Sequence, residues 1–275
     1  MRIDAHHHFW RYTVQEYGWI DDAMRMIRRD FLPADLAATL KPHQIDGVVT
    51  VQARQTLEET RWLLTLAREN AFIKAVVGWV PLADKSVGSL LEELITDLKL
   101  KGVRHVVQGE TDPEFLERAN FNAGLREVTA RKLVYDLLIF ARQLPATIAL
   151  VDRHPDQIFV LDHIAKPVVR DLPDPAWVRN IQELARRENV YCKFSGVVTE
   201  VPGWQWTPEL LSPYFDVVIN AFGPARLMFG SDWPVCLVAS EYARWIGFVE
   251  QCAASLSATE RARLFGGTAV EAYRI

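Results

Sequence analysis

The sequence predicts an α/β protein folded as one (β/α)8 barrel domain over residues 1–275. Short apolar runs alternate with longer amphipathic stretches along the whole chain, and eight such pairs close most simply into a barrel. The apolar runs are almost continuous, which is typical of parallel strands covered on both faces. An open doubly wound sheet is the alternative, but no Gly-x-Gly-x-x-Gly follows the first run, which disfavours dinucleotide binding.

The predicted strands are short, and most end before a Gly, a Pro or a polar residue. They cover residues 2–5, 44–51, 72–80, 102–107, 133–140, 158–163, 190–195 and 227–232. A long aromatic loop at 9–29 and a helix start with Pro33 in its first turn follow the first strand. Further helices are predicted at 57–70, 86–98, 113–131, 143–152, 175–188, 208–221 and 241–254, and a capping box at Ser257 and Glu260 begins a last one.

Composition excludes several functional classes. The net charge of −4 gives no electrostatic signature for nucleic acid or an anionic membrane. No apolar run reaches membrane-spanning length, and no signal segment opens the chain. The three cysteines, Cys192, Cys236 and Cys252, have no CxxC spacing and suit a reducing compartment. We therefore expect a cytoplasmic protein, monomer or homodimer, whose partner is a small molecule.

Three histidines stand at the end of the first strand. Side chains alternate along a strand, so His6 and His8 point one way and His7 the other. Two imidazoles on one side of a strand end can bind a metal ion or hold a polarised oxygen.

Polar residues also end or interrupt four other predicted strands, where a barrel places its active site. They are Arg104 and His105 on strand four, Asp162 and His163 on strand six, Lys193 and Ser195 on strand seven, and Ser231 and Asp232 on strand eight. Arg104 and His105 alternate, and we expect His105 to face the barrel centre and Arg104 to reach the rim. Lys193 is predicted to be a site residue because its strand is otherwise apolar. Trp10, Trp19 and Trp233 are candidates for stacking on a substrate ring, with core packing as the alternative.

These residue types indicate hydrolysis of an ester, lactone or amide by activated water. An Asp among imidazoles can take a proton from water, and imidazoles or a cation can polarise a carbonyl oxygen. Arg and Lys can orient the substrate. The chain has no Gly-x-Ser-x-Gly, so a serine nucleophile is not expected.

Four segments together resemble the amidohydrolase superfamily, in particular its sugar-acid lactonase branch. They are Asp4 to Trp10, Leu161 to Pro167, Tyr191 to Gly196 and Phe229 to Pro234. The resemblance implies a distorted (β/α)8 TIM barrel and hydrolysis of a lactone. It also implies that Asp232 is the general base and that His163 binds metal or the substrate carbonyl. His6 and His8 would be the pair of histidines that members of this superfamily carry at the end of strand one.

The chain departs from the two-metal members of that superfamily, since strand four offers Arg104 and His105, and strand five has no histidine. A single divalent ion, zinc or manganese, on His6, His8 and Asp232 stays open, and so does a metal-free site. The leading prediction is a lactonase for a six-carbon aldonolactone such as L-fucono- or L-rhamnonolactone. The alternatives are a metal-dependent decarboxylase, a muconolactone-type lactonase, and a silent barrel that only binds a sugar acid.

Overall fold

The computed structural model describes residues 1–275 and confirms the barrel. Eight strands form one parallel sheet in the order of the sequence. They are β1 (Ile3–His7), β2 (Gly47–Val51), β3 (Ile73–Gly78), β4 (Leu100–His105), β5 (Val134–Leu137), β6 (Phe159–Leu161), β7 (Val190–Phe194) and β8 (Leu227–Phe229). The strands are shorter than most of the predicted runs, so several polar residues that the sequence placed on strands lie on the loops that follow them.

Helices separate the strands and form the outer layer. They are α1 (Pro33–Leu40), α2 (Leu57–Glu69), α3 (Val87–Leu94), α4 (Ala119–Ala130), α5 (Leu144–Arg153), α6 (Pro175–Ala185), α7 (Pro208–Phe222), α8 (Tyr242–Cys252), α9 (Ala258–Ala262) and α10 (Thr268–Tyr273). The helix predicted at 113–131 is wrong in its first third. A 3-10 turn at Phe115–Glu117 precedes α4, because Arg118 between them adopts ψ 129° and breaks the helix. None of the helices combines the length and the apolar character that crossing a bilayer requires.

Two apolar layers hold the barrel together. Helices pack on the outside of the sheet over a large core. A smaller cluster, which includes Val49, Val77, Val160 and Met228, fills the barrel interior below the site. The terminal helix α10 contributes Ala269, Ala272 and Tyr273 to this inner cluster, so it closes the N-terminal end of the barrel.

The barrel closes irregularly between β1 and β8. No regular ladder joins these two strands. Instead, the end of β1 pairs with the segment after β8 through an isolated bridge from His7 to Trp233, and the backbone N–H of Asp232 donates to the carbonyl of His6 at 2.8 Å. The buried carboxylate of Asp4 reinforces this junction. Its Oδ1 accepts from the backbone N–H of Ser231 at 2.9 Å and of His6 at 3.1 Å.

Candidate active site

A cavity of about 700 Å³ opens at the C-terminal ends of the strands. Five of the residues predicted from the sequence line it: His8, Trp19, Arg104, His163 and Asp232. The long loop after β1 and the loops after β2 and β4 supply most of the other walls. The predicted end of the barrel therefore carries an open cavity of the size that a small ligand needs.

An irregularity in β1 turns the first two candidate histidines toward this space. Ile3 and Ala5 both face the inner apolar cluster, so strict alternation would send His7 inward. The pairing with β2 slips by one residue between Asp4 and His7, which reverses the face of the sheet to which the following side chains of β1 point. His7 instead bonds Thr50 Oγ1 at 2.8 Å on the other side of the sheet.

The nitrogens of these histidines converge on one carboxylate oxygen. His6 Nε2 and His8 Nε2 are 3.2 Å apart. Asp232 Oδ1 lies 3.3 Å from His8 Nε2 and 3.7 Å from His6 Nε2. The Nε2 atom of His163 stands 4.0 Å from the same oxygen.

The other ring nitrogen of each of these histidines has a partner of its own. His8 Nδ1 lies 2.8 Å from the carbonyl oxygen of Val51, and a carbonyl can only accept a hydrogen bond. His6 Nδ1 faces Asp162 Oδ1 at 3.2 Å. These acceptors favour a proton on Nδ1, so each Nε2 carries a lone pair, and that of His6 also lies 3.4 Å from Arg104 Nη1. The Nδ1 of His163 bonds Ser195 Oγ at 2.9 Å.

This arrangement fits one divalent ion. Ligand atoms about 2.1 Å from a tetrahedral ion stand about 3.4 Å from one another. The three separations among His6 Nε2, His8 Nε2 and Asp232 Oδ1 are 3.2, 3.3 and 3.7 Å. Two neutral imidazoles and a carboxylate also suit zinc or manganese by type. These three residues could therefore hold the ion, with Nδ1 of each histidine already fixed.

The pKa values of the residues at the bottom of the cavity determine which of them are charged at neutral pH. Burial alone would raise the pKa of Asp232, but the neighbouring imidazoles, His163 first and then His8 and His6, outweigh burial and hold that pKa well below its usual range. Burial lowers the pKa of His163 to about 4 and places that of His6 well below its ordinary value. At neutral pH Asp232 is therefore an anion and both imidazoles are neutral.

A buried ionic network lies beneath the histidines. Lys193 Nζ stands 2.5 Å from Asp136 Oδ2, 3.0 Å from Asp162 Oδ1 and 3.3 Å from His6 Nδ1. The hydroxyl of Tyr273, on α10, donates to Asp136 at 2.9 Å. Lys193 is fully buried and does not line the cavity. The predicted contact of Lys193 with substrate is wrong, because its ammonium is enclosed by these carboxylates.

The orientation predicted for strand four is also wrong. Arg104 points inward and donates from Nη1 to Asp162 Oδ2 at 2.9 Å. His105 faces outward, where it stacks on Phe115 and bonds Glu110 Oε1 at 2.6 Å. The cause is another slip of one residue, on β4 between Leu100 and Gly102, which reverses the faces to which the following side chains of that strand point.

Two of the three tryptophans are core residues. Trp10 is fully buried and donates from Nε1 to the carbonyl of Arg29 at 2.9 Å. Trp233 packs edge-on against Phe31, on the outer side of the β1–β8 junction. Neither lines the cavity, whereas Trp19 does so with 45% of its surface exposed.

The sequence analysis missed several residues of the cavity wall. Gln55 and Arg54 follow β2, Gln108 follows β4, and Lys166 follows His163 on the turn after β6. The wall also includes Glu16 from the long loop. The signal that could have found them is their position just after a strand end, since loops at that face form the site of a barrel.

A family model described as amidohydrolase matches residues 3–275. The chain belongs to the amidohydrolase family. Two curated relatives are named L-fucono-1,5-lactonase. The one from Burkholderia multivorans is 41% identical over 100% of this chain and 96% of its own length, and the one from Burkholderia ambifaria is 38% identical with the same coverage. These matches confirm the superfamily that the four segments indicated.

A solved structure shares the whole architecture. It is an amidohydrolase from Burkholderia multivorans with bound zinc, 41% identical, covering 100% of this chain and 99% of its own. The TM-score is 0.95. The distorted barrel described above is thus the fold of this relative as well.

Proposed function

We propose that the protein hydrolyses a six-carbon sugar-acid lactone, with L-fucono-1,5-lactone as the first candidate substrate. The chain is a lactone-hydrolysing enzyme of its family, since both curated relatives at 38% and 41% identity are lactonases. The observation that carries the finer proposal is the position of Asp232 Oδ1. This ionised oxygen lies within 4.0 Å of three imidazole nitrogens at the base of a 700 Å³ cavity.

Asp232 is the proposed general base. A water molecule held between its carboxylate and the bound lactone loses a proton to that carboxylate and attacks the carbonyl carbon. The carbonyl oxygen then becomes negative, and the guanidinium of Arg104, which lines the same cavity, offers a positive charge to it. Both residues are buried, which strengthens these interactions relative to water.

His6, His8 and Asp232 would hold one divalent ion, zinc or manganese. When bound, such an ion supplies Lewis-acid polarisation of a carbonyl and lowers the pKa of water. The support is the set of three separations close to 3.4 Å, together with the bound zinc in the Burkholderia multivorans structure. Asp162 keeps His6 in the tautomer that this role needs.

The upper walls suit a hydroxylated ring. Gln55 and Gln108 provide amide donors and acceptors, and Trp19 offers an aromatic face at the mouth. Sugar rings combine hydroxyl groups with apolar faces, so this wall matches a sugar lactone better than a flat apolar ligand.

The test is a pH-indicator assay on a panel of 1,4- and 1,5-aldonolactones, with the protein as purified and after chelation. We expect turnover of the lactone of L-fuconate. Turnover that survives chelation assigns carbonyl polarisation to Arg104 and the histidines, whereas turnover lost and restored by zinc or manganese assigns it to the ion. Absence of turnover across the panel by folded protein, with or without added metal, overturns the proposal. Carbon dioxide release from an aromatic acid would then favour a decarboxylase.

A further inference from the structure

The turn that follows β6 is a strained part of the cavity wall. His163, Ile164, Ala165 and Lys166 have φ values of 52°, 50°, 63° and 46°. Non-glycine residues rarely adopt this left-handed region, because Cβ then crowds the following carbonyl oxygen. Trp177 Nε1 holds the turn by donating to the carbonyl of Ile164 at 2.9 Å. Strain of this kind persists at functional sites, and here it places the first and last side chains of the turn on the cavity.

Lys166 differs from the other cations of the wall. Arg54 and Arg104 are each held by a carboxylate, and a guanidinium does not release a proton in proteins. The ammonium of Lys166 forms a looser ion pair, 3.6 Å from Glu200 Oε1, and unlike a guanidinium it can release a proton. Its side chain is 18% exposed, so it is partly screened from water and still free to meet a ligand.

Opening a lactone needs a proton at the ring oxygen. When the ring C–O bond breaks, its electron pair stays on that oxygen as a strongly basic alkoxide. Asp232 has by then taken the proton of the attacking water, and it lies at the base of the cavity. A second proton donor on the cavity wall can protonate this alkoxide, so the proton held by Asp232 need not move to the ring oxygen.

We propose that Lys166 is this donor, an inference that rests on the proposed lactone hydrolysis. The ammonium passes one proton to the ring oxygen as the C–O bond breaks, which leaves a neutral amine and a carboxylic acid. The amine then takes the proton of that acid, giving the carboxylate product. Asp232 releases the proton of water to solvent. The sum is one water consumed, one carboxylate formed and one proton released.

The experiment measures kcat and KM of Lys166→Ala with the lactone that the wild-type protein turns over. We expect kcat to fall by about 100-fold or more, while KM changes far less. Added methylammonium, a small primary ammonium ion, should restore part of kcat in proportion to its concentration. Tetramethylammonium has the same charge and no proton to give, and it should restore nothing. Lys166→Arg keeps the charge and should stay as slow as Lys166→Ala.

A matched control tests whether replacing a lysine at a positive φ is by itself enough to change kcat. Lys132 also has a positive φ, of 57°, and is exposed far from the cavity, so Lys132→Ala should leave kcat and its methylammonium response as in wild type. Wild-type kcat in Lys166→Ala would overturn the inference and make Asp232 the group that returns the proton. A loss that methylammonium does not rescue would also overturn it. Either result leaves lactone hydrolysis intact, whereas a wild-type protein inactive on all lactones refutes the proposed function itself.

Discussion

Asp4 Oδ1 accepts a hydrogen bond from the backbone N–H of Ser231 at 2.9 Å, and this bond ties the start of the first strand to the residue before Asp232. The same oxygen accepts from the N–H of His6 at 3.1 Å, and Tyr242 donates its hydroxyl to Oδ2 at 3.2 Å. One buried carboxylate thus fixes the two segments that carry the converging side chains. It does so where the barrel lacks a regular ladder of backbone bonds.

Replacing Asp4 by Ala should destabilise the fold. Two buried N–H groups would lose their acceptor, at roughly 1–3 kcal/mol each, so we expect a loss of about 2–6 kcal/mol in the free energy of unfolding. Asp4→Asn keeps one acceptor oxygen and should lose much less. Urea denaturation compares the free energies of unfolding of both variants with that of wild type. Tyr242→Phe, which loses only the bond to Asp4 Oδ2, is measured beside them. Equal urea midpoints for Asp4→Ala and wild type would contradict this role.

Removing the cation beneath the histidines should also destabilise the fold. In Lys193→Met two buried carboxylates, Asp136 and Asp162, lose their shared partner, and breaking a buried pair costs about 3–5 kcal/mol. The double variant Lys193→Met/Asp136→Asn removes one of the two unpaired carboxylate charges and should recover part of the lost free energy of unfolding. A double-mutant cycle by chemical denaturation measures this coupling. Strictly additive losses would show that Lys193 and Asp136 do not stabilise each other.

The proposed ion should depend on His8 and not on its neighbour. His8→Gln removes one ligand atom, so zinc affinity should fall by more than the 10- to 100-fold that loss of a supporting partner costs. His7→Gln is the matched control, because His7 faces Thr50 on the other side of the sheet. Calorimetric titration of zinc into chelator-treated protein provides the measurement. Equal affinities for the two variants would rule out the site at His6, His8 and Asp232.

Glu59 should make stability depend on pH. Its carboxylate is buried at the start of α2, and burial raises its pKa to about 7 from an ordinary value of 4.5. The folded state therefore binds this proton more tightly than the unfolded state. The contribution of Glu59 to the free energy of unfolding is complete below about pH 4.5 and is lost as the pH rises through 7. This contribution is at most about 3 kcal/mol.

The measurement is the urea midpoint of Glu59→Gln and wild type between pH 5 and 8. Glutamine does not titrate, so the variant should lose stability less steeply as the pH rises. Glu58→Gln, at the adjacent exposed position of α2, serves as the control and should keep the wild-type slope. A Glu59→Gln variant with the wild-type slope would show that Glu59 does not titrate in this range.

Much of the fold was predictable because each β/α unit is a local pattern. The alternation of apolar and amphipathic stretches located all eight strands, and Ser257 with Glu260 marked the start of α9 through a capping box that the structure contains. The one-residue slips on β1, β3 and β4 were not predictable. A one-residue slip depends on the partner strand, so the sequence alone assigned the inward position to His105 when Arg104 holds it.

The partners of buried charges were equally out of reach. Lys193 interrupts an apolar strand, and that pattern is the same for a residue that meets substrate and for one enclosed by carboxylates. Its partner Asp136 is 57 positions away along the chain, and Tyr273 approaches from the terminal helix. Only the closed barrel brings these residues together.

The most direct test of the proposed function is the rate of Asp232→Asn on the lactone of L-fuconate. Asparagine has nearly the same shape but cannot take a proton from water, so kcat should fall by about 100- to 10,000-fold. The circular dichroism spectrum and thermal midpoint should stay close to those of wild type, which separates loss of the base from loss of the fold. A folded Asp232→Asn variant that hydrolyses the lactone within about tenfold of the wild-type rate would contradict the assignment of Asp232 as the base.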